Sequence, residues 1–262
     1  MNVTIYDGGA LAYNIGAFGC DVFFERHTVA PSAVVYFFKP INYADYVERK
    51  ARAAVQRLGL QLGQAVTFTP TPSGFSVSIP RENRQFIKLW NCAAPLKQHA
   101  PRVYIPLGID DNGNARAVAL EDCPHLLIAG ASGSGKTSYL HAIIGGLACF
   151  TSCGFMLIDV KAVEFSRWSR DLKNVAPVIT TARSAAAYLR GAVNEMSRRY
   201  EALKRQGLRD NSAGTFQPLI IIIDEFADFV LSNRAEIEPL IIKIAQMGRA
   251  AGMHLVIATQ RP

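Results

Sequence analysis

The sequence predicts an α/β protein: a larger domain over residues 101–262 built on a parallel core sheet, preceded by a small α+β domain over residues 1–100. Three observations carry this. Apolar runs at 126–129, 155–159, 219–224 and 254–259 alternate with helical patterns, the rhythm of parallel strands joined by crossover helices. The first hundred residues instead group short β-rich runs around one clear helix. Between the two, NCAAPLKQHAPR (91–102) carries two prolines and little periodicity, which marks a linker near residue 100.

In chain order, strands are expected at 3–6, 21–24, 33–38, 66–69 and 75–79, the last two joined by the turn TPTPSG. A helix is expected over 43–58, with Asn42 as its cap and Val47, Ala51, Val55 and Leu58 as its apolar stripe. DNGN at 111–114 signals a hairpin between VYIPLGI and ARAVAL. Residues 137–158 hold no charge over 22 positions, long enough for a membrane span, but Gly145, Gly146, Thr151, Ser152 and Gly154 interrupt them. Leu140, Ile143, Ile144 and Leu147 follow one helical face, so the stretch reads as a core helix, a turn and a buried strand. A long helix over 184–206 stops at Gly207. Its apolar face is Leu189, Val193, Met196, Tyr200 and Leu203, and the pairs Glu195/Arg199 and Glu201/Arg205 are expected on its solvent face. A further helix is expected to begin near Pro239 and to lead into MGRAAG.

Composition excludes several classes. Half of the 262 residues are hydrophobic and 19% are charged, too apolar for a disordered chain. The net charge of +7 is uneven, +2 over residues 1–123 and +5 over 124–262, so a polyanion is expected to meet the second half. Five cysteines, an odd number with no C-x-x-C pair, indicate neither a zinc ribbon nor a disulfide framework and suggest a reducing, cytoplasmic location. The start MNVTIYDGGALAYN lacks the basic-then-apolar pattern of a secretory signal.

The chemistry is concentrated in two motifs. GASGSGKT, Gly130 to Thr137, fits G-x-x-x-x-G-K-[ST] and lies between the apolar strand HLLIA and a helix, the context this phosphate-binding loop requires. Backbone N–H groups of Gly130, Ala131, Ser132, Gly133, Ser134, Gly135, Lys136, Thr137 and Ser138 are expected to surround ATP phosphates, with Lys136 supplying a cation and Thr137 a hydroxyl for Mg²⁺. LIIIIDEFAD supplies the second pole. Five apolar residues bring Asp224 to the carboxyl end of a buried strand as a magnesium ligand, and Glu225 is the candidate to activate water. The other reading is that Asp224 and Glu225 are N-terminal acids of the next helix. Asp159 after FMLI and Gln260 after HLVIAT fall on the same sheet edge. Gln260 is placed to sense a γ-phosphate, and for both residues a loop-capping role is equally open.

PHLLIAGASGSGKT, LIDVKAVEFS, NEMSRRYEALKRQGLRD, IIIIDEFADF and AQMGRAAGMHLVIATQRP, in this order, resemble the motor domain of the FtsK/SpoIIIE family of DNA translocases. SIPRENRQFIKL and PLGIDDNGNARAVALEDCPH are more weakly similar to that family's small α-subdomain and connecting hairpin. The resemblance implies a hexameric ring ATPase of RecA-like P-loop fold that pumps double-stranded DNA, with no sequence reading. It implies that Lys136 and Thr137 bind ATP and Mg²⁺, that Asp224 and Glu225 form the Walker B pair, and that Gln260 is the sensor. It further implies that Arg249 is an arginine finger and that Arg261 opens a pore loop touching DNA phosphate. Without the resemblance, Arg249 reads as a helix C-terminal arginine satisfying the dipole.

Two competing readings are a type VII secretion-like protein-exporting ATPase and a nucleotide-binding subunit that is not a motor. The passage from Asp159 into VKAVEFS, rather than a glycine pair, favours the DNA pumps, and Glu225 favours turnover. With neither an N-terminal membrane span nor a C-terminal winged helix in the sequence, a plasmid, phage or integrative-element relative is expected. RecA-like sheets order their strands 5-1-4-3-2 and four are supplied here, so the strand feeding the phosphate loop is expected at a sheet edge; either the first half covers that edge or, the favoured expectation, further residues beyond Pro262 complete the sheet.

Overall fold

The computed structural model describes residues 5–82, 85–92, 102–110, 112–168 and 177–260. The chain divides into two compact units, one of residues 1–92 with 108–116, the other of 93–107 with 117–262. Most of the expected linker, 93–101, lies outside the described residues.

The first unit is a four-stranded antiparallel sheet in the order β1-β2-β4-β3: β1 (Val22–Val29), β2 (Ala33–Pro40), β3 (Thr67–Thr71) and β4 (Gly74–Pro80). Alternation in β2 sends Val34, Tyr36 and Phe38 to a core that Ile79, Val77 and Phe75 complete from β4 in matching register. Pro70 lies in β3, an edge strand where its missing N–H costs no inner ladder bond. β1 is longer than the sequence suggests and carries a register shift between Phe24 and Arg26.

The structure corrects two sequence expectations in this unit. The strand expected at 3–6 begins outside the described residues, and Ile5 and Tyr6 belong to no strand. They lead into a helix, α1 (Gly8–Ala17), capped by the Asp7 carboxylate, which accepts from the Gly9 and Ala10 amides at 3.1 and 3.3 Å. Its glycines hide it from propensity, yet Gly8 is required, since a Cβ there would stand 2.4 Å from the Phe24 ring. The second helix, α2 (Glu48–Leu62), starts five residues later than expected. Asn42 does not cap it: its Oδ1 accepts from the Ala44 amide, a local turn ahead of the helix. α2 also runs on through Gly59, where a Cβ would meet the Gln64 carbonyl at 2.9 Å, and ends at Gly63 with φ 63°.

A hairpin of β5 (Tyr104–Ile109) and β6 (Ala115–Ala119) turns on Asp110, whose carboxylate accepts from the Asn112 and Asn114 amides at 2.9 Å each. The second unit is built on a parallel sheet ordered β7-β10-β9-β8: β7 (His125–Ala129), β8 (Gly154–Ile158), β9 (Leu219–Ile223) and β10 (Met253–Thr259). Ile220 and Ile222 pack on one face with Leu140, Ile143, Ile144 and Leu147 of α3 (Lys136–Phe150). Ile221 and Ile223 pack on the other, against α4 (Ala182–Arg205), α5 (Phe226–Ser232) and α6 (Arg234–Met247). Burial on both faces is why β8–β10 read as unbroken apolar runs. Residues 137–158 are a core helix and a strand, and no helix among the described residues is long and apolar enough to cross a membrane. The helix expected to begin near Pro239 begins at Arg234, so Pro239 lies inside it and forgoes one backbone bond. As expected, β7 is an edge: among the described strands it pairs only with β10, and Leu127 is left 61% exposed.

Leu58 is fully buried in the first unit's core, so Leu58→Ala should cost about 2–5 kcal/mol of unfolding free energy, read by urea denaturation.

Candidate functional site

The four parallel strands end side by side, and each passes directly into a residue that the sequence marks as functional: Ala129 into Gly130, Ile158 into Asp159, Ile223 into Asp224 and Thr259 into Gln260. Opposite ends of a parallel sheet are not equivalent, and the carboxyl end is where open α/β sheets take ligands.

From β7 the loop 130–135 turns into α3. Gly133 and Gly135 hold φ of 77° and 94°, which side-chain-bearing residues rarely adopt. At Gly130 a Cβ would lie 2.6 Å from Ser134 Oγ, a close approach that a larger residue would relieve only by turning that hydroxyl away. The Gly130 amide donates to the Thr259 carbonyl at 3.3 Å, fastening the loop to β10. Ala131, Ser132, Gly133, Ser134, Gly135 and Ser138 are exposed, and Lys136 and Thr137 half-buried. The Lys136 ammonium donates to the carbonyls of Gly130 and Ala131, which centres a cation over the loop at the amino end of a 15-residue helix. The exposed loop backbone, the helix dipole and the ammonium make an anion cradle.

The acidic pole is crowded. Burial, then the charges of Asp159, Glu164 and Glu225, push the Asp224 carboxyl up to about 6, with Lys161 opposing them. Asp159 is 1% exposed and its Oδ2 accepts from the Glu164 and Phe165 amides at 2.8 and 3.1 Å. The loop-capping role is therefore realised, while its Oδ1 has no partner among the described residues. Lys161 and Glu164 stand within LIDVKAVEFS, but the sequence assigns neither of them a role. The loop after β8, with Ala162 at φ 56°, brings both charges to bear on Asp224. Glu225 is the N-cap residue of α5 but makes no side-chain capping bond. Its Oε1 instead accepts from Thr259 Oγ1 and from the Gln260 amide, both at 3.1 Å, tying the carboxylate to the end of β10. That separates its chemistry from that of a helix-starting acid.

Like charges around the half-buried Asp224 form a cluster that suits a divalent cation, and the Asp224 carboxyl and the Thr137 hydroxyl are each hard oxygen donors of the kind that Mg²⁺ prefers. Two expected residues are not part of this cluster. Arg249 opens a 3₁₀ turn (Arg249–Ala251) before β10, at the amino edge of the sheet. There it lines a cavity of about 740 Å³ with Asp210, Ser212, Phe216 and His254. This cavity and the phosphate loop occupy opposite ends of the strands. Arg261 lies outside the described residues.

The crowding predicts a stability trade. The raised Asp224 value means that ionisation opposes folding, a penalty absent below about pH 4 and complete above about pH 6. Without Mg²⁺, Asp224→Asn should therefore melt a few degrees higher than the parent at pH 8, and the gain should vanish as the pH falls to 4, by calorimetry.

Residues 92–216 and 210–262 match the model of the FtsK/SpoIIIE family. The chain is 32% identical over 271 residues to a DNA translocase FtsK of Streptococcus agalactiae, covering 94% of this chain and 33% of that one. It is 33% identical over 253 residues to the Clostridium acetobutylicum protein of that name, covering 90% and 32%. The chain thus spans about a third of the length of these relatives. Among solved structures it is similar to the pCW3 conjugation coupling protein TcpA, in monomer form with ATPγS (TM-score 0.56, 20% identity, 97% of this chain and 76% of that one). It is also similar to the cytoplasmic domain of the type VII secretion ATPase EccC of Thermomonospora curvata (TM-score 0.52, 26% identity, 68% and 24%). With its phosphate loop and parallel sheet, the fold is that of an α/β P-loop ATPase, and by its sequence the chain belongs to the FtsK/SpoIIIE family.

Proposed function

We propose that the chain is an ATP-hydrolysing motor that moves double-stranded DNA, working as a ring of six copies in the cytoplasm, with residues 1–100 as a separate small domain. The observation that carries this reading is the convergence of the phosphate loop, Asp224 and the tethered Glu225 at one sheet edge, in a chain whose relatives over 90% or more of its length are named DNA translocases. Similarity to EccC keeps a secretion ATPase as the alternative.

In this reading Gly130 to Ser138 bind the phosphates through backbone amides, and Lys136 exchanges its loop carbonyls for β and γ oxygens. Thr137 and Asp224 would hold Mg²⁺, which when bound would offset phosphate charge. Glu225 orients water and accepts its proton, and the bonds from Thr259 and Gln260 fix the carboxylate against β10, so that Gln260 links γ-phosphate occupancy to that strand. Arg249 serves a neighbouring copy. The seven residues of β10 at about 3.3 Å each put it some 20 Å from its own loop, beyond the reach of an arginine side chain. DNA meets the more basic second half through phosphate contacts, Arg261 among them, and binding is insensitive to sequence and weakened by salt.

The deciding experiment is ATPase rate with and without double-stranded DNA. DNA stimulation is expected, indifference to DNA would favour the secretion reading, and absent turnover would leave a nucleotide-binding subunit. Lys136→Ala should abolish ATP binding in a titration. Glu225→Gln should bind ATP normally and turn over roughly 100-fold or more slowly.

A further inference from the structure

The segment NEMSRRY has no part in the nucleotide chemistry above, yet it holds a buried cation. Arg199 is 8% exposed on α4, facing inward from the helix side expected to meet solvent. Its Nε donates to Glu195 Oε1 at 3.0 Å and its Nη1 to the Ala251 carbonyl at 2.9 Å, inside the 3₁₀ turn that Arg249 opens. One helical step on, the Tyr200 hydroxyl donates to the Met247 carbonyl at 2.6 Å, just ahead of that turn. Glu195 is held by both neighbouring arginines: the hydrogen bond from Arg198, joined by that from Arg199, lowers its carboxyl to about 2.

A second path closes on the same turn. The Arg199 guanidinium lies 5.2 Å from the centre of the Phe216 ring. Asn211 binds both backbone groups of Phe216, at 2.7 and 2.8 Å, and packs on Gly252, where a Cβ would approach Asn211 Nδ2 to 2.4 Å. Gly248 is equally confined, because a Cβ would meet the Ile244 and Met253 carbonyls at 2.5 and 2.6 Å. The backbone from Met247 to Gly252 is thus gripped at both ends, while the Arg249 side chain is exposed at the cavity rim. Burying a guanidinium is a poor way to add stability, since apolar packing of equal volume does as well. It is a good way to fix a carbonyl in one place.

We propose that Arg199, held by Glu195 and assisted by Tyr200, is a positioning residue that sets the backbone of the Arg249 turn so that Arg249 reaches the nucleotide of an adjacent copy. This rests on the reading of Arg249 as acting in trans. A cation that must enter another subunit's site gains from a rigid base, because misplacement by about 1 Å costs on the order of 100-fold in rate.

The test compares Arg199→Ala, Arg199→Lys and Tyr200→Phe in the full chain, each scored for ATP affinity, kcat and complementation. Arg199→Ala should bind ATP within about twofold of the parent and lose about 10-fold or more in kcat, with Arg199→Lys in between and Tyr200→Phe mildest. Mixed with Glu225→Gln subunits, whose Arg249 turn is intact, Arg199→Ala should regain ATPase. Mixed with Arg249→Ala subunits it should not. A merely structural defect would be relieved by neither partner. If Arg199→Ala fails to fold by circular dichroism, the other two variants carry the same test. Full kcat in the folded variants, or a defect that Glu225→Gln subunits do not relieve, overturns the proposal. The control is Arg249→Ala mixed with Glu225→Gln: if it recovers while Arg199→Ala does not, only the positioning role fails. If the control also stays inactive, the trans reading itself falls, and this proposal with it.

Discussion

Strands β8, β9 and β10 are covered by helices on both faces, and that burial leaves them apolar except for His254 and Thr259 near the two ends of β10. Charge and hydrogen-bonding capacity are driven to the two ends. The carboxyl ends receive the phosphate loop, the acidic cluster and Glu225 with its bonds to β10. The amino ends receive the Arg249 turn and the cavity beside it, which Asp210, Ser212 and His254 help to line. Strand length then sets the separation of these two chemistries.

At the acidic end, the arrangement costs stability. Asp159 is immobilised by two backbone amides, and Glu164 and Glu225 add charge around Asp224, whose carboxyl rises accordingly. A fold optimised for stability alone would not gather four carboxylates there. In the proposed reading the repulsion belongs to binding: a divalent cation offsets it, so part of the cation's affinity is stored in the folded chain beforehand.

The second unit was largely legible in the sequence because its signals are local and redundant. GASGSGKT between a strand and a helix, and five apolar residues before Asp224, leave few alternatives, and the observed strand ends differ from the expected ones by a residue. Failures came where long-range packing overrides a local pattern. Gly8, Gly9 and Gly16 argue against a helix by propensity, and the close approach of the Phe24 ring accounts for the glycine only at Gly8. Arg199 four residues after Glu195 has the spacing of a surface pair, and Glu195 does bind it, but the acceptor that explains its burial is a carbonyl 52 residues away. Pro239 resembles a helix start because proline favours that position, whereas Ile237, Ile241 and Ile244 gain enough burial to extend α6 around it. Lys161 and Glu164 stand within LIDVKAVEFS without a role assigned to either, and only the fold of the loop after β8 gives them a common target.

The same division between ends bears on how a ring would be coupled. β10 is hydrogen-bonded on one side to β7, which feeds the phosphate loop, and on the other to β9, which leads into Asp224. Its carboxyl end holds Glu225 through Thr259 and Gln260, and its amino end continues the turn that carries Arg249. Paired along both sides in a parallel ladder, β10 does not slide alone, because sliding breaks every inter-strand bond at once, and its two ends are held at a fixed separation. Under the trans reading of Arg249, β10 would therefore link the state of a subunit's own nucleotide to the finger that it extends to its neighbour, with α4 fixing where that finger starts.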